Sequence, residues 1–140
     1  MNRRFTSKTQ AMNTRKHSWV CLKCDAVHLE KKKGHKLICH CGSHELQYFP
    51  SGAELRRYRS LQLMQRCGNI YGLELQPSYN VVINGHEVTT YRADFRYYDD
   101  KGVLIIEDVK GTTNEKYHDP VFKLKRKLVE AVFGIKITIT

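Results

Sequence analysis

The sequence predicts a mixed-sheet α/β domain preceded by a small module built around a metal. Three observations carry that expectation. Four of the five cysteines crowd into residues 18–46 as two close pairs. From residue 47 onward, two stretches of helical periodicity bracket a series of β-rich runs. Hydrophobic residues make up 41% of 140, enough for one compact core and little more. The organisation read from this is a basic segment over residues 1–17, a metal module over 18–46 and an α/β domain over 47–140.

Within residues 18–46, Cys21 and Cys24 form C-x2-C, and Cys39 and Cys41 form C-x-C. Two thiolate pairs joined by a short hairpin suit tetrahedral zinc, because each turn chelates from one side. The Cys-Gly-Ser ending of the second turn resembles a zinc-ribbon knuckle. Its C-x-C spacing departs from the usual C-x2-C, so His40 and His44 stand beside Cys41 as alternatives for the fourth ligand. Four protein ligands close the coordination sphere, which makes this zinc structural rather than catalytic. The lone Cys67 reads as a small buried apolar residue.

The α/β domain opens with a helix. Ser51 is an N-cap with Glu54 three residues on, the capping-box spacing. Leu55, Tyr58, Leu61 and Met64 recur at helical intervals, and Gly68 is the stop. Three strand runs follow: "LELQPSYNVVI", "VTTYRADFRYY" and "GVLIIEDVK". Asn84-Gly85 turns the chain between the first two, and Asp99 to Gly102 between the second and third. Asp119-Pro120 starts a second helix, with Asp as N-cap and Pro at N1. Its expected inward stripe is Val121, Leu124, Leu128 and Val132, Gly134 ends it, and "IKITIT" closes the sheet.

The third run is internally contradictory. Leu104, Ile105 and Ile106 read as a strand buried on both faces, yet Glu107, Asp108 and Lys110 continue it. Side chains alternate, so Asp108 and Lys110 share one face and Glu107 takes the other. Across a hairpin, paired residue numbers keep a constant sum; a turn centred near Lys101 makes it about 202 and sets Asp94 opposite Asp108. Two carboxylates and an ammonium thus converge at one open end. Like charges directly opposite are destabilising on a sheet, and a divalent cation between them reverses that.

These residues resemble a known signature. Ala93-Asp94 followed by Asp108-x-Lys110 is similar to the P-D…(D/E)-x-K motif of the PD-(D/E)xK nuclease superfamily, with Ala93 in place of proline. "SGAELRRYRSLQLMQRCGNIYGLELQP", "YRADFRYY" and "EDVKG" further resemble a family of small phage-encoded proteins described as endonucleases or Holliday-junction-resolvase-like enzymes. The resemblance spans about residues 48–139 and leaves out the cysteine module. It implies a PD-(D/E)xK restriction-endonuclease-like core of helix, three strands, helix and strand. It implies that Asp94 and Asp108 hold Mg²⁺ or Mn²⁺, with Glu54 completing the set directly or through water. Lys110 then orients the attacking water, Gln76 lines the site, and the products carry a 5′-phosphate and a 3′-hydroxyl.

The formal charge of +10 is uneven: residues 1–50 carry 10 basic against 3 acidic residues, the remainder 14 against 11. Such a balance favours a polyanionic partner, gripped mainly by the amino-terminal third and by the Lys-rich "LEKKKGHK" between the knuckles. No run of apolar residues is long enough to cross a membrane, and "MNRRFTSKTQAMNTRK" lacks the apolar run of a secretory signal; a cytoplasmic setting is expected, that of the host if the protein is phage-encoded. The leading expectation is a metal-dependent endodeoxyribonuclease, acting on branched DNA such as Holliday junctions and as a homodimer. The alternative is a non-catalytic zinc-ribbon adaptor on a degenerate nuclease fold, and a third reading is an RNA-processing enzyme of the same fold.

Overall fold

The computed structural model describes residues 17–29 and 36–140. The basic segment expected over residues 1–17 lies outside these except for His17, and so does most of the Lys-rich tip between the knuckles. The chain divides into two compact units, one ending at Gly52 and the other starting at Ala53.

In the first unit, β1 (Ser18–Cys21) is the central strand of a three-stranded antiparallel sheet, flanked by β2 (Val27–His28) and β3 (Leu46–Phe49). β3 pairs with β1 along its whole length, from Ser18↔Phe49 to Cys21↔Leu46. Its contribution is backbone pairing plus Phe49, which is buried, and the contact of Tyr48 with Trp19 at a ring separation of 4.9 Å.

The second unit starts with α1 (Gly52–Arg66), which follows Ser51 and ends on a Gly68 cap. Gly68 sits at φ 78°; its N–H donates to the Gln65 carbonyl and that of Asn69 to the Met64 carbonyl, the paired bonds of a Schellman motif. Tyr58 and Leu61 are buried, as the apolar spacing predicts.

Each of the first two strand runs is bent in the middle. β4 (Ile70–Leu75) continues into β5 (Ser78–Ile83), and β6 (His86–Arg92) into β7 (Phe95–Asp99). The bend falls at Gln76-Pro77 on one strand and Ala93-Asp94 on the other. Hydrogen bonds from Gln76 N to Asp94 O and from Ala93 N to Pro77 O carry the ladder through it. Proline lacks an N–H, and Gln76 adopts a left-handed φ of 51°, so neither can continue a regular strand. Asn84 and Gly85, both at positive φ, join β5 to β6 as a two-residue hairpin turn.

The four-stranded sheet runs β4-β7-β8-β9, with β8 at Leu104–Asp108 and β9 at Ile137–Ile139. β7 is antiparallel to both of its neighbours, β4 and β8, and β9 is parallel to β8, so the sheet is mixed. The β7–β8 turn is centred on Lys101, with Asp99 Oδ1 accepting from Lys101 N and Val103 N. The register Phe95↔Glu107, Arg96↔Ile106, Tyr97↔Ile105 is the one expected; it ends at Phe95, and Asp94 N donates to Glu107 O just beyond it, which brings Asp94 beside Asp108.

α2 (Pro120–Phe133) crosses from β8 to β9. Asp119 Oδ1 caps it by accepting from Val121 N at 2.6 Å and Phe122 N at 3.1 Å; Gly134 ends it at φ 64°. Its inward face is not the expected one. Val121 and Leu124 are each 60% exposed and Val132 is 45% exposed. The buried residues are Val129 and Arg126, with Phe122 packed on the core and Phe133 edge-on to Tyr79. The helix is turned by about one residue, 100°, from the aliphatic stripe, so that Phe122 and Val129 face the core. That core consists of Tyr79, Val81, Tyr91, Ala93, Ile106, Val129 and Ile137. Cys67, expected inside, is exposed.

Candidate metal centre and candidate active site

In the first unit the two knuckles bring Cys21, Cys24, Cys39 and Cys41 together, with all four Sγ atoms within 4.8 Å of one another. Cys21 and Cys41 Sγ are 3.6 Å apart, and Cys24 and Cys39 Sγ 3.4 Å. The fourth member is therefore Cys41, not His40 or His44. Two tight turns make this possible: Asp25 at φ 60° follows the first pair, and Gly42 at φ 80° follows the second, donating from its N–H to the Cys39 carbonyl. Against the cost of desolvation, backbone N–H groups of Cys24 and Lys23 hold the Cys21 thiol down at about 6. Against the Ala26 backbone N–H, the crowded sulfurs push the Cys24 thiol up to about 12 in turn; four sulfurs this close fit a metal ion, and the set is consistent with structural zinc.

In the second unit, β8 carries two adjacent carboxylates that are both almost fully buried, Glu107 at 2% exposure and Asp108 at 3%. Alternation sends them to opposite faces. Glu107 meets Arg57 of α1, which donates from Nε at 2.8 Å and Nη2 at 2.5 Å, and also receives the Tyr97 hydroxyl. The Arg57 guanidinium is correspondingly held more tightly charged, and burial beside Glu107 pushes Tyr97 up to about 12. Glu107 is thus a structural partner of α1, not a member of the acidic cluster.

Asp108 faces the other way. Its Oδ2 accepts from the buried Tyr91 hydroxyl, while Oδ1 meets Lys110 Nζ at 2.5 Å, an ion pair without hydrogen-bond alignment. Asp94 lies alongside, its Oδ2 accepting from Val109 N at 2.7 Å. Burial first, and then the negative charges of Asp108 and Glu54, push Asp94 up to about 7, against the pull of Val109 N–H and Lys110. Glu54, half-buried in the first turn of α1, is close enough for its charge to be felt at Asp94. Gln76 stands opposite Asp94 in the ladder, joined to it through the backbone at 2.9 Å. A non-glycine residue held at φ 51° costs of order 1 kcal/mol. That strain lies at the bend that turns Asp94 toward Asp108.

The structure therefore assembles Asp94, Asp108 and Lys110, with Glu54 in electrostatic reach and Gln76 adjoining. Among the described residues, only the four cysteines place three or more candidate ligand atoms within 4.8 Å of each other. Tyr91, Tyr97 and Arg57 escape the sequence reading. Tyr91 is three residues before Asp94, and its hydroxyl donates to Asp108 Oδ2.

The crowding has a measurable consequence. Asp94 keeps its proton to about pH 7 when folded, but loses it near 3.8 when unfolded. The folded state binds more protons between these values, so stability without added divalent cation is expected to fall as pH rises from about 4 to 7. Melting temperatures across that range should show the slope, and Asp94→Asn should flatten it.

Among the described residues, no helix is long and apolar enough to cross a membrane. No curated protein and no solved structure matches the sequence. One family model does, over residues 35–138, a span that takes in the second cysteine pair and the whole second unit up to β9. The chain belongs to that family, which is described as proteins of unknown function (DUF1064).

Proposed function

We propose that the protein is a divalent-metal-dependent endodeoxyribonuclease, carrying a structural zinc in the cysteine module. The observation that supports this most is the Asp94/Asp108/Lys110 cluster at the end of β8, where the buried Asp108 carboxylate is paired with Lys110 and burial and the Asp108 charge raise the half-buried Asp94. Buried like charges are costly and are retained where they bind a cation or do chemistry. The order of helix, bent hairpin, strand, helix and parallel strand also agrees with the PD-(D/E)xK resemblance.

Asp94 and Asp108 would hold Mg²⁺ or Mn²⁺ in this reading, with Glu54 completing the set directly or through water. A cation held there would supply polarisation of the scissile phosphate and a lowered pKa for the attacking water. Tyr91 holds Asp108 Oδ2 and so orients the carboxylate, whose Oδ1 meets Lys110. Lys110 orients the water and offsets the charge that gathers on the phosphate oxygens. Water oxygen bonds to phosphorus and gives up a proton to solvent, the bond from phosphorus to the 3′ oxygen breaks, and that oxygen takes up a proton from solvent. The products are a 5′-phosphate and a 3′-hydroxyl.

Incubation with linear, flap and four-way-junction DNA, with and without Mg²⁺ or Mn²⁺, tests the proposal. Cleavage dependent on the divalent ion is expected, with branched DNA the favoured substrate. Binding of intact DNA regardless of divalent ion would instead support the zinc-module adaptor, and a preference for matched RNA would move the substrate class.

A further inference from the structure

Val121, Leu124 and Val132 of α2 are exposed and Leu128 is half-buried. Their spacings of three, four and four residues place them on one line down the helix, about 16 Å long at 1.5 Å per residue. Phe122, Arg126 and Val129 form a second line, turned to the core. A surface helix needs only one apolar line to hold its place. Single exposed aliphatic residues are ordinary, but a continuous apolar strip marks a contact surface.

The borders of the strip decide what covers it. At about 100° per residue, Lys125 and Lys127 fall on opposite sides of Leu128. Among the described residues neither forms an ion pair. The carboxylates in and around α2 are engaged elsewhere. Asp119 caps the helix, Glu115 is paired with Arg126, and Glu130 accepts from Ile137 N at 2.9 Å. The strip is therefore aliphatic along its centre and positive along both edges.

A second copy of the chain fits this poorly. A two-fold axis brings the same patch to itself, so the lysines of one α2 would face those of the other. Like charges across a helix seam weigh against pairing. The phosphates of DNA would suit the lysines but leave the aliphatic side chains without apolar contact. An amphipathic helix with acidic borders satisfies both.

We infer that this strip is a docking surface for an acidic amphipathic helix of a partner protein. The partner's apolar face packs on Val121, Leu124, Leu128 and Val132, and its flanking carboxylates meet Lys125 and Lys127. None of these residues belongs to the acidic cluster, so the test does not depend on cleavage.

The probe is a fluorescent peptide of three heptads, with leucine at a and d and glutamate at e and g, beside a twin with lysine at e and g. Both are titrated against the full chain at physiological ionic strength. The glutamate peptide should bind the wild type at least about tenfold tighter than its twin. Leu124→Gln removes apolar contact without adding charge or touching the core. It should weaken the glutamate peptide at least about tenfold and leave the melting temperature unchanged. Lys125→Glu combined with Lys127→Glu should reverse the preference between the peptides. Equal binding of the two peptides by the wild type would overturn the docking site. So would equal affinity of wild type and Leu124→Gln for the glutamate peptide, which would leave only a general attraction to a basic protein. A dimer in sedimentation that Leu124→Gln dissociates would assign the strip to a second copy instead, and a loss of duplex-DNA affinity in that variant would assign it to DNA.

Discussion

Cys39→Ser is expected to unfold the amino-terminal unit. Its strands hold four, two and four residues, so its sheet cannot stand on burial alone. A metal on four thiolates contributes folding free energy directly, about 10–16 kcal/mol for comparable zinc modules at neutral pH. The protein as purified should carry one zinc per chain, and the variant none. Trp19, the chain's single tryptophan, lies in β1 against Tyr48 and reports the loss. Its emission should shift to the red when zinc is withdrawn by a strong chelator, and return when zinc is restored. Unchanged emission after complete removal of zinc would show that the sheet stands without the metal.

The second large effect concerns the other face of β8. Arg57→Met leaves Glu107 buried at 2% exposure with only the Tyr97 hydroxyl for company. Removing one partner of a buried pair costs about 3–5 kcal/mol, and Arg57 is itself 30% exposed, which favours the lower end. For a unit of this size each kcal/mol lowers the melting temperature by about 4–8 °C, so a fall of more than about 10 °C is expected. Replacing Glu107 by Leu in the same chain should recover much of it, because the stranded charge is gone. A single substitution with no effect on melting would mean that Arg57 does not hold α1 to β8.

Much of this molecule is legible in the residues because its local signals agree with one another. The C-x2-C and C-x-C pairs name the four clustered sulfurs, and Asn84-Gly85, Asp119-Pro120 and Gly134 place turns and caps correctly. Hairpin arithmetic from a turn at Lys101 gives the register that sets Asp94 by Asp108. What escapes depends on tertiary contacts. Val121, Leu124, Leu128 and Val132 satisfy helical periodicity as well as Phe122, Val129 and Phe133 do, and only the shape of the core selects between them. Arg126 is buried on the inward face with its guanidinium paired to Glu115, which no hydropathy pattern shows. The bends at Gln76-Pro77 and Ala93-Asp94 are hidden because each strand run reads as continuous. Glu107 is the instructive case: parity removes it from the cluster, but its partner Arg57 lies fifty residues away on α1.

The central claim is that Asp108 serves a cation and a phosphate rather than the fold. Its most direct test is the cleavage rate of four-way-junction and flap DNA in Mg²⁺ by wild type and by Asp108→Asn, with melting temperature measured on the same samples. Asparagine keeps the shape and can still accept from Tyr91, so the fold should survive. Cleavage by the variant should fall by at least about a hundredfold, the scale on which a lost charge-stabilising group slows such chemistry. Equal cleavage by the two proteins, or none by the wild type on any DNA, would contradict the account.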